Sequence, residues 1–194
     1  LAGCGESGTD QAQNTAGGRT SSSPPEAPKL SQEEREKLVA SATKGFKLDR
    51  DKMESISFYT IKSPVVLTPE VNSYLSIPDK ARPFFRINLS YIGKGWVFFD
   101  QVKIMADDRV VYEKKFSRSQ TSRNVLTSLV TETADYPASN ADIVAFNEIA
   151  NAKSVTIRFS GSDRREDHVL TKGEIGRLKS TLAAYATLEP LLKQ

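Results

Sequence analysis

PFFRINLSYI, residues 83–92, alternates with a period of two: Phe85, Ile87, Leu89 and Tyr91 fall on one side, Arg86, Asn88 and Ser90 on the other. This is the pattern of a strand that lays one face on a core. Working outward, IGKGW (92–96) supplies a hairpin turn at Gly93–Gly95. WVFFDQVKIMA (96–106) reads as the next strand, with Trp96, Phe98, Val102 and Ile104 on one face. ADDR (106–109) is a second tight turn, and RVVYEKKF (109–116) completes a three-stranded meander. Upstream, Ser55–Lys62 is strand-like. Pro64, Pro69, Pro78 and Pro83 then break a long connection that holds one short extended segment near Val65–Leu67. Downstream, one further strand is expected within Val125–Thr133.

The period then lengthens. SNADIVAFNEIANAK (139–153) places Ile143, Phe146, Ile149 and Ala150 on one helical face behind a Ser139 or Asn140 N-cap. SVTIRFSG (154–161) returns to alternation, and Glu166–Leu170 is its antiparallel partner. Thr171 and Glu174 form a capping box for a last helix striped by Ile175, Leu178, Leu182, Tyr185 and Leu188 and ended by Pro190. Near the other end, Ser31 and Glu34 cap a short helix, Gln32–Lys44, stopped at Gly45. The predicted class is α+β: an antiparallel β-sheet (meander) with about two helices packed on it, behind a disordered N-terminal tether. The expected division is 1–30 for residual signal and tether, 31–52 for a short helix and linker, and 53–194 for a single folded domain.

Residues 1–4, LAGC, hold the chain's one cysteine. They resemble a bacterial lipobox, in which cleavage precedes a cysteine that carries a diacylglyceryl thioether. Ala2 and Gly3 suit a narrow protease site and Leu1 an apolar subsite. On this reading the sequence begins inside a precursor's signal peptide and the mature chain starts at Cys4. The resemblance implies membrane lipid as a covalent partner through Cys4 and two or three acyl chains, each buried CH₂ contributing about 0.8 kcal/mol. Gly5 stands where Asp would favour inner-membrane retention, so in a Gram-negative host the expected address is the outer membrane, facing the periplasm. Gly5–Lys29 is poor in apolar residues and reads as a stalk; twenty-five flexible residues would span roughly 25–30 Å on average.

The segment IANAKSVTIRFSGSDRREDHVLTKGEIGRLKSTLAAY (149–185) resembles the closing segment of small exported bacterial and phage-encoded domains of unknown function, many of them lipoproteins. The matching positions are Ile149, Ala150 and Lys153; Ile157, Arg158, Phe159 and Gly161; and Asp167, Leu170, Thr171, Ala184 and Tyr185. The resemblance implies fold and compartment, with no activity attached.

Net charge is +3, with both signs interspersed, so no nucleic-acid-binding block is present. No run approaches the roughly 20 apolar residues of a membrane-spanning helix. One cysteine and one histidine give no metal-ligand spacing, and no cofactor is expected. Two polar groups are candidates for binding. The first is the turn GSDRREDH (161–168), with Arg158, Arg165, Asp167 and His168; its ordinary reading is a charged hairpin in which Arg158 pairs with Asp167. The second is the basic stretch from Lys114 and Lys115 to Arg118 and Arg123, able to face lipid headgroups or a glycan, or else to be a solvated edge. Trp96, Phe98 and Phe99 read foremost as core. The expected function is therefore a lipid-anchored envelope protein whose domain is a non-catalytic interaction module, toward an envelope protein or cell-wall glycan. The alternatives are a hydrolase using His168 as base with Ser160 or Ser162 and Asp163, and a phage-related surface-exclusion lipoprotein.

Overall fold

The computed structural model describes residues 30–63 and 67–192. Cys4, the stalk and residues 64–66 of the extended segment expected near Val65–Leu67 lie outside the described residues. Among those described, the order is α1 (Gln32–Ala42), β1 (Lys47–Asp51), β2 (Ile56–Thr60), β3 (Glu70–Pro78), β4 (Phe84–Gly93), β5 (Gln101–Ala106), β6 (Arg109–Lys115), β7 (Ser122–Leu126), β8 (Leu129–Pro137), α2 (Asn140–Asn151), β9 (Val155–Ser160), β10 (Arg165–Val169) and α3 (Lys172–Leu188). The class is α+β. All strand pairs are antiparallel, and they form two sheets: β1-β2-β3-β4-β8-β7 and β10-β9-β5-β6.

Each helix starts where its capping box stands. Ser31 and Glu34, Ser139 and Asp142, and Thr171 and Glu174 exchange side-chain and backbone hydrogen bonds across the first turn. α3 lies against β3 and β4, where Phe85 meets Tyr185 edge-on with centroids 5.8 Å apart. α2 lies against β5 and β6 through Phe146 and Tyr112, 5.1 Å apart. Residues 83–92 behave as read: Phe85, Ile87, Leu89 and Tyr91 are all at most 2% exposed.

The three-stranded meander read over residues 83–116 does not form; consecutive antiparallel neighbours run instead through β1-β2-β3-β4. β4 and β5 belong to different sheets, and residues 94–100 cross between them instead of turning at Gly93–Gly95. The alternation slips by one residue at Asp100. Val97 and Phe99 are buried, Phe98 is 53% exposed, and burial resumes at Val102 and Ile104. A continuous strand would have needed an unbroken period. β3 fills the connection expected to be irregular. Its core face carries Val71, Ser73, Leu75 and Ile77, and the buried Ser73 among them blunts the apolar signal. Pro78 stands at its last position, where a missing N–H is tolerated. β1, within the segment read as linker, is KLDRD, an exposed edge strand without apolar alternation. The single strand expected within Val125–Thr133 is a hairpin, β7–β8, turning at Thr127 (φ +51°) and Ser128.

A chain of aromatic rings ties the sheets together. Tyr91 of β4 meets Phe159 of β9 at 6.0 Å, Phe159 meets Phe99 at 5.2 Å, Phe99 meets Phe116 at 6.0 Å, and Phe116 meets Tyr136 of β8 at 5.6 Å. Gly161 lets the crossover approach: a Cβ there would sit 2.0 Å from the Val97 carbonyl oxygen.

Candidate functional site

Register sorts the residues singled out in the sequence onto two faces of the four-stranded sheet. Directly opposed residues in antiparallel strands share a face. One face points to the helices and carries Val102, Ile104, Tyr112, Ile157 and Phe159. The other points outward and is organised in rows. Val110, Met105, Thr156 and Val169 form one row across all four strands. Glu113, Lys103, Arg158 and Asp167 form the next, and Lys115, Gln101, Ser160 and Arg165 the third. Met105, Val110 and Val169 are 38%, 53% and 64% exposed. A dimple of about 120 Å³ opens between the first two rows.

Arg158 and Asp167 pair bidentately at 2.6 Å across the hairpin, and Lys103 pairs with Glu113 at 3.1 Å. Each such exposed pair adds little to stability. Lys115 and Arg165 are exposed, and no carboxylate stands within ion-pair distance of either among the described residues. The structure thus gathers Arg158, Arg165, Asp167 and Lys115 on one open face.

Lys114 and His168 leave that group, because a one-residue offset in a strand reverses the face. Lys114 stands opposite Val102, on the helix-covered side. Its ammonium lies 3.4 Å from Asp142 of α2 and 4.3 Å from the centre of the Tyr136 ring. It is a tertiary contact and no part of a solvated basic loop. Arg123 is likewise turned inward, as described below. His168 stands opposite Ile157, with its side chain 14% exposed, and its Nε2 is 3.1 Å from Glu174 Oε1. His168 thus belongs to the charged hairpin but stands on its covered side, away from the surface.

Ser160 is opposite Arg165, three positions along β10 and on the other face from His168, so roughly 10 Å of strand separates them. The Ser162 hydroxyl donates to Asp163. His168, Ser160, Ser162 and Asp163 are therefore not brought together as nucleophile, base and orienter. Among the described residues no three His, Cys, Asp or Glu side chains converge as a metal would require.

Glu174 is a junction of the fold. One carboxylate accepts from the Val71 amide at 3.2 Å, from the Thr171 amide and hydroxyl at 2.8 and 2.9 Å, and contacts His168. Burial by itself would raise this carboxyl. The hydrogen bonds from His168 and Thr171 outweigh burial, and the group titrates below the ordinary 4.5. Its contribution to stability is therefore complete above the unfolded-state value and is lost as pH falls through the lower folded-state value. Urea midpoints measured from pH 7 to 3 should hold above about pH 5 and fall below it. Glu174→Gln should lower the midpoint at pH 7 and flatten the acid limb; an unchanged acid limb in that variant would contradict this role.

The crossover holds a site that the sequence reading missed. Glu132 of β8 is 0% exposed. Its Oε1 accepts from the amides of Val97 (2.6 Å) and Phe98 (2.9 Å), and its Oε2 from the amide of Phe99 (3.0 Å). Arg123 Nε stands 3.4 Å from Oε2. Phe98 has φ +54°, a left-handed conformation rare for a bulky side chain. A left-handed residue turns successive N–H groups to one side and makes an anion-binding nest. Here the anion is part of the chain. Such strain costs roughly 1–3 kcal/mol and is offset by charge-assisted hydrogen bonds, each about twice as strong as a neutral one.

The clamp displays rings. Trp96 stacks on Phe98, with centroids 5.5 Å apart and planes 18° from parallel, and the Arg123 guanidinium lies 5.5 Å from the centre of the Phe98 ring. Phe98, Phe99, Asp100, Phe116, Ser117, Arg118 and Arg123 border a shallow groove of about 350 Å³. The signal in the sequence was Glu132, a lone acid within an otherwise uncharged, core-directed alternation: Val130, Ala134 and Tyr136 share its face. A cleft between α1 and β2–β3 offers less. There Arg35 donates to the carbonyls of Pro78 and Ala81, and Arg50 holds Asp79 bidentately, so both cations are committed within the fold.

Compared with protein-family models, with curated proteins and with solved structures, the chain matches none.

Proposed function

We propose that this chain is a lipid-anchored protein of the cell envelope whose α+β domain is a non-catalytic interaction module. Cys4, within LAGC, would carry the lipid, and residues 5–29 would carry the domain away from it. In a Gram-negative host the membrane is the outer one, with the domain facing the periplasm. The observation that carries the interaction role is the outward face of the four-stranded sheet. It combines exposed apolar side chains in one row, Val110, Met105 and Val169, with the exposed cations Lys115 and Arg165, near which no carboxylate stands within ion-pair distance among the described residues. That mixture suits an envelope protein with an apolar centre and acidic rim better than a glycan, since glycan platforms use exposed aromatic rings and this face has none.

Photo-crosslinking side chains placed at Val110 and Val169 in cells should give one discrete adduct, absent when the probe stands at Asn124 on the other sheet. Lys115→Glu with Arg165→Glu should cut its yield about tenfold, because like charges then face the acidic rim. Equal labelling at all three positions would contradict an interface on this face. Anchoring has its own readout: Cys4→Ser in a precursor that carries a signal peptide should abolish partitioning into detergent, and continued partitioning would overturn it.

A further inference from the structure

We propose that one end of the six-stranded sheet is a bilayer-contacting tip that takes an anionic lipid surface. This rests on the envelope reading above and adds a second contact to it.

Three large apolar side chains stand exposed there: Phe98 at 53%, Val125 at 67% and Leu126 at 47%. Register places Val125 and Leu126 at the sheet end: Gly93 of β4, Val130 of β8 and Val125 of β7 form the last row across these three strands, and Leu126 pairs with Leu129 beyond it. Arg123 and Val125 lie two residues apart on one face, about 7 Å along the strand, and Arg123 carries the Phe98 ring. Leu126 projects from the opposite face of the same hairpin. Residues 124–131, NVLTSLVT, contain no charge, in a chain of which 26% is charged. Two exposed cations flank the tip: Lys94 follows β4, and Arg118 borders the groove; Arg123, under Phe98, is paired inward with Glu132. Among the described residues the carboxylate bordering the groove is Asp100; Glu132 is buried and held by the clamp.

Shape decides the occupant. A stable protein interface needs about 800 Å² of complementary surface on each partner. This tip is instead a hairpin end with two exposed apolar side chains and one neighbouring exposed ring, which a deformable surface can surround. Aromatic side chains with basic residues beside them suit the headgroup level of a bilayer, and each Lys or Arg near an anionic surface adds attraction to it. The strained backbone of Phe98 is maintained to expose a ring that burial would favour, as expected of a working residue. A weak contact suffices if Cys4 is anchored, because a short linker supplies effective concentrations in the millimolar range.

The probe is the un-acylated Cys4→Ser chain mixed with vesicles of phosphatidylethanolamine containing a quarter phosphatidylglycerol, or with phosphatidylcholine alone. Trp96 is the sole tryptophan and stacks on Phe98, so its emission reports the tip. The expected result is co-sedimentation with the anionic vesicles, a blue shift of Trp96 emission, and weakening by salt. Phe98→Asn combined with Val125→Thr and Leu126→Thr should reduce binding at least tenfold. Asn tolerates the left-handed backbone and Thr keeps the strand propensity, and an unchanged thermal midpoint checks the fold. Absence of binding to either vesicle, equal binding to both, or loss through Lys115→Glu and Arg165→Glu on the other sheet would each overturn the tip. Detergent partitioning of the precursor reads anchoring separately, so the two failures are distinguishable.

Discussion

Glu132→Ala should lower the free energy of unfolding by about 3–5 kcal/mol, the cost typical of breaking a buried charged cluster. Three amides, those of Val97, Phe98 and Phe99, lose their acceptor, and Arg123 loses its counter-charge within a side chain only 20% exposed. A buried donor left unpaired costs about 1–3 kcal/mol. The Phe98 backbone also loses the interaction that offsets its left-handed conformation. For a chain of this length each kcal/mol moves Tm by about 2–4 °C, so a fall of roughly 10 °C is expected in calorimetry. Glu132→Gln keeps the shape but brings one acceptor oxygen and an NH₂ that opposes an N–H, so it should recover less than half of the loss. Arg123→Ala should cost less than Glu132→Ala. The double variant should cost clearly less than the sum, because the two side chains form one cluster.

Phe159→Ala is the second large effect, also about 3–5 kcal/mol. Phe159 is 0% exposed and touches both Tyr91 and Phe99. It is one link between the four-stranded sheet and the six-stranded one with its crossover; the Tyr112–Tyr136 hydroxyl pair is another. Truncation removes the apolar transfer contribution, leaves a cavity, and breaks two ring contacts together. The urea midpoint should fall with little change in slope, since the amount of surface exposed on unfolding is nearly the same. A loss below about 1 kcal/mol would mean that the sheets are joined by other contacts.

The parts of the fold that were legible in the sequence are those where one local rule acts alone. The capping boxes at Ser31 and Thr171 mark helix starts because the reciprocal bonds lie within four residues. Residues 84–92 and 155–159 alternate cleanly because one face is core and the other is polar. The Arg158–Asp167 pair follows from the hairpin. What was not legible depends on distant partners. β3 was obscured by Ser73, whose carbonyl and side chain are enclosed only once α3 packs over them. β1 is a strand because β2 gives it a ladder, not because of KLDRD itself. The crossover was read as strand because Trp96–Phe99 is β-prone. Its real conformation is imposed by a carboxylate 33–35 residues downstream.

The same reasoning explains the candidate site. Arg158, Arg165, Asp167 and Lys115 stand out in the sequence as candidate binding groups, and register places them on one face. Lys114 and His168 share their neighbourhood in sequence but not their direction, and only pairing partners settle direction. Phe98 looked like core because it sits among core residues. Its exposure follows from the phase slip at Asp100 and from the positive φ that the Glu132 clamp sustains.

Amide hydrogen exchange at Val97, Phe98 and Phe99 tests the Glu132 clamp most directly. Those amides lie in a segment without a strand ladder, so their protection depends on the carboxylate. In the intact protein the three should exchange as slowly as the amides of β4 and β8, through global unfolding. In Glu132→Gln, at a temperature where the fold is retained, they should exchange at least a hundredfold faster while β4 stays protected. Rapid exchange of all three in the intact protein, at the rate of an open loop, would contradict the clamp and the rigid display of Phe98 that depends on it.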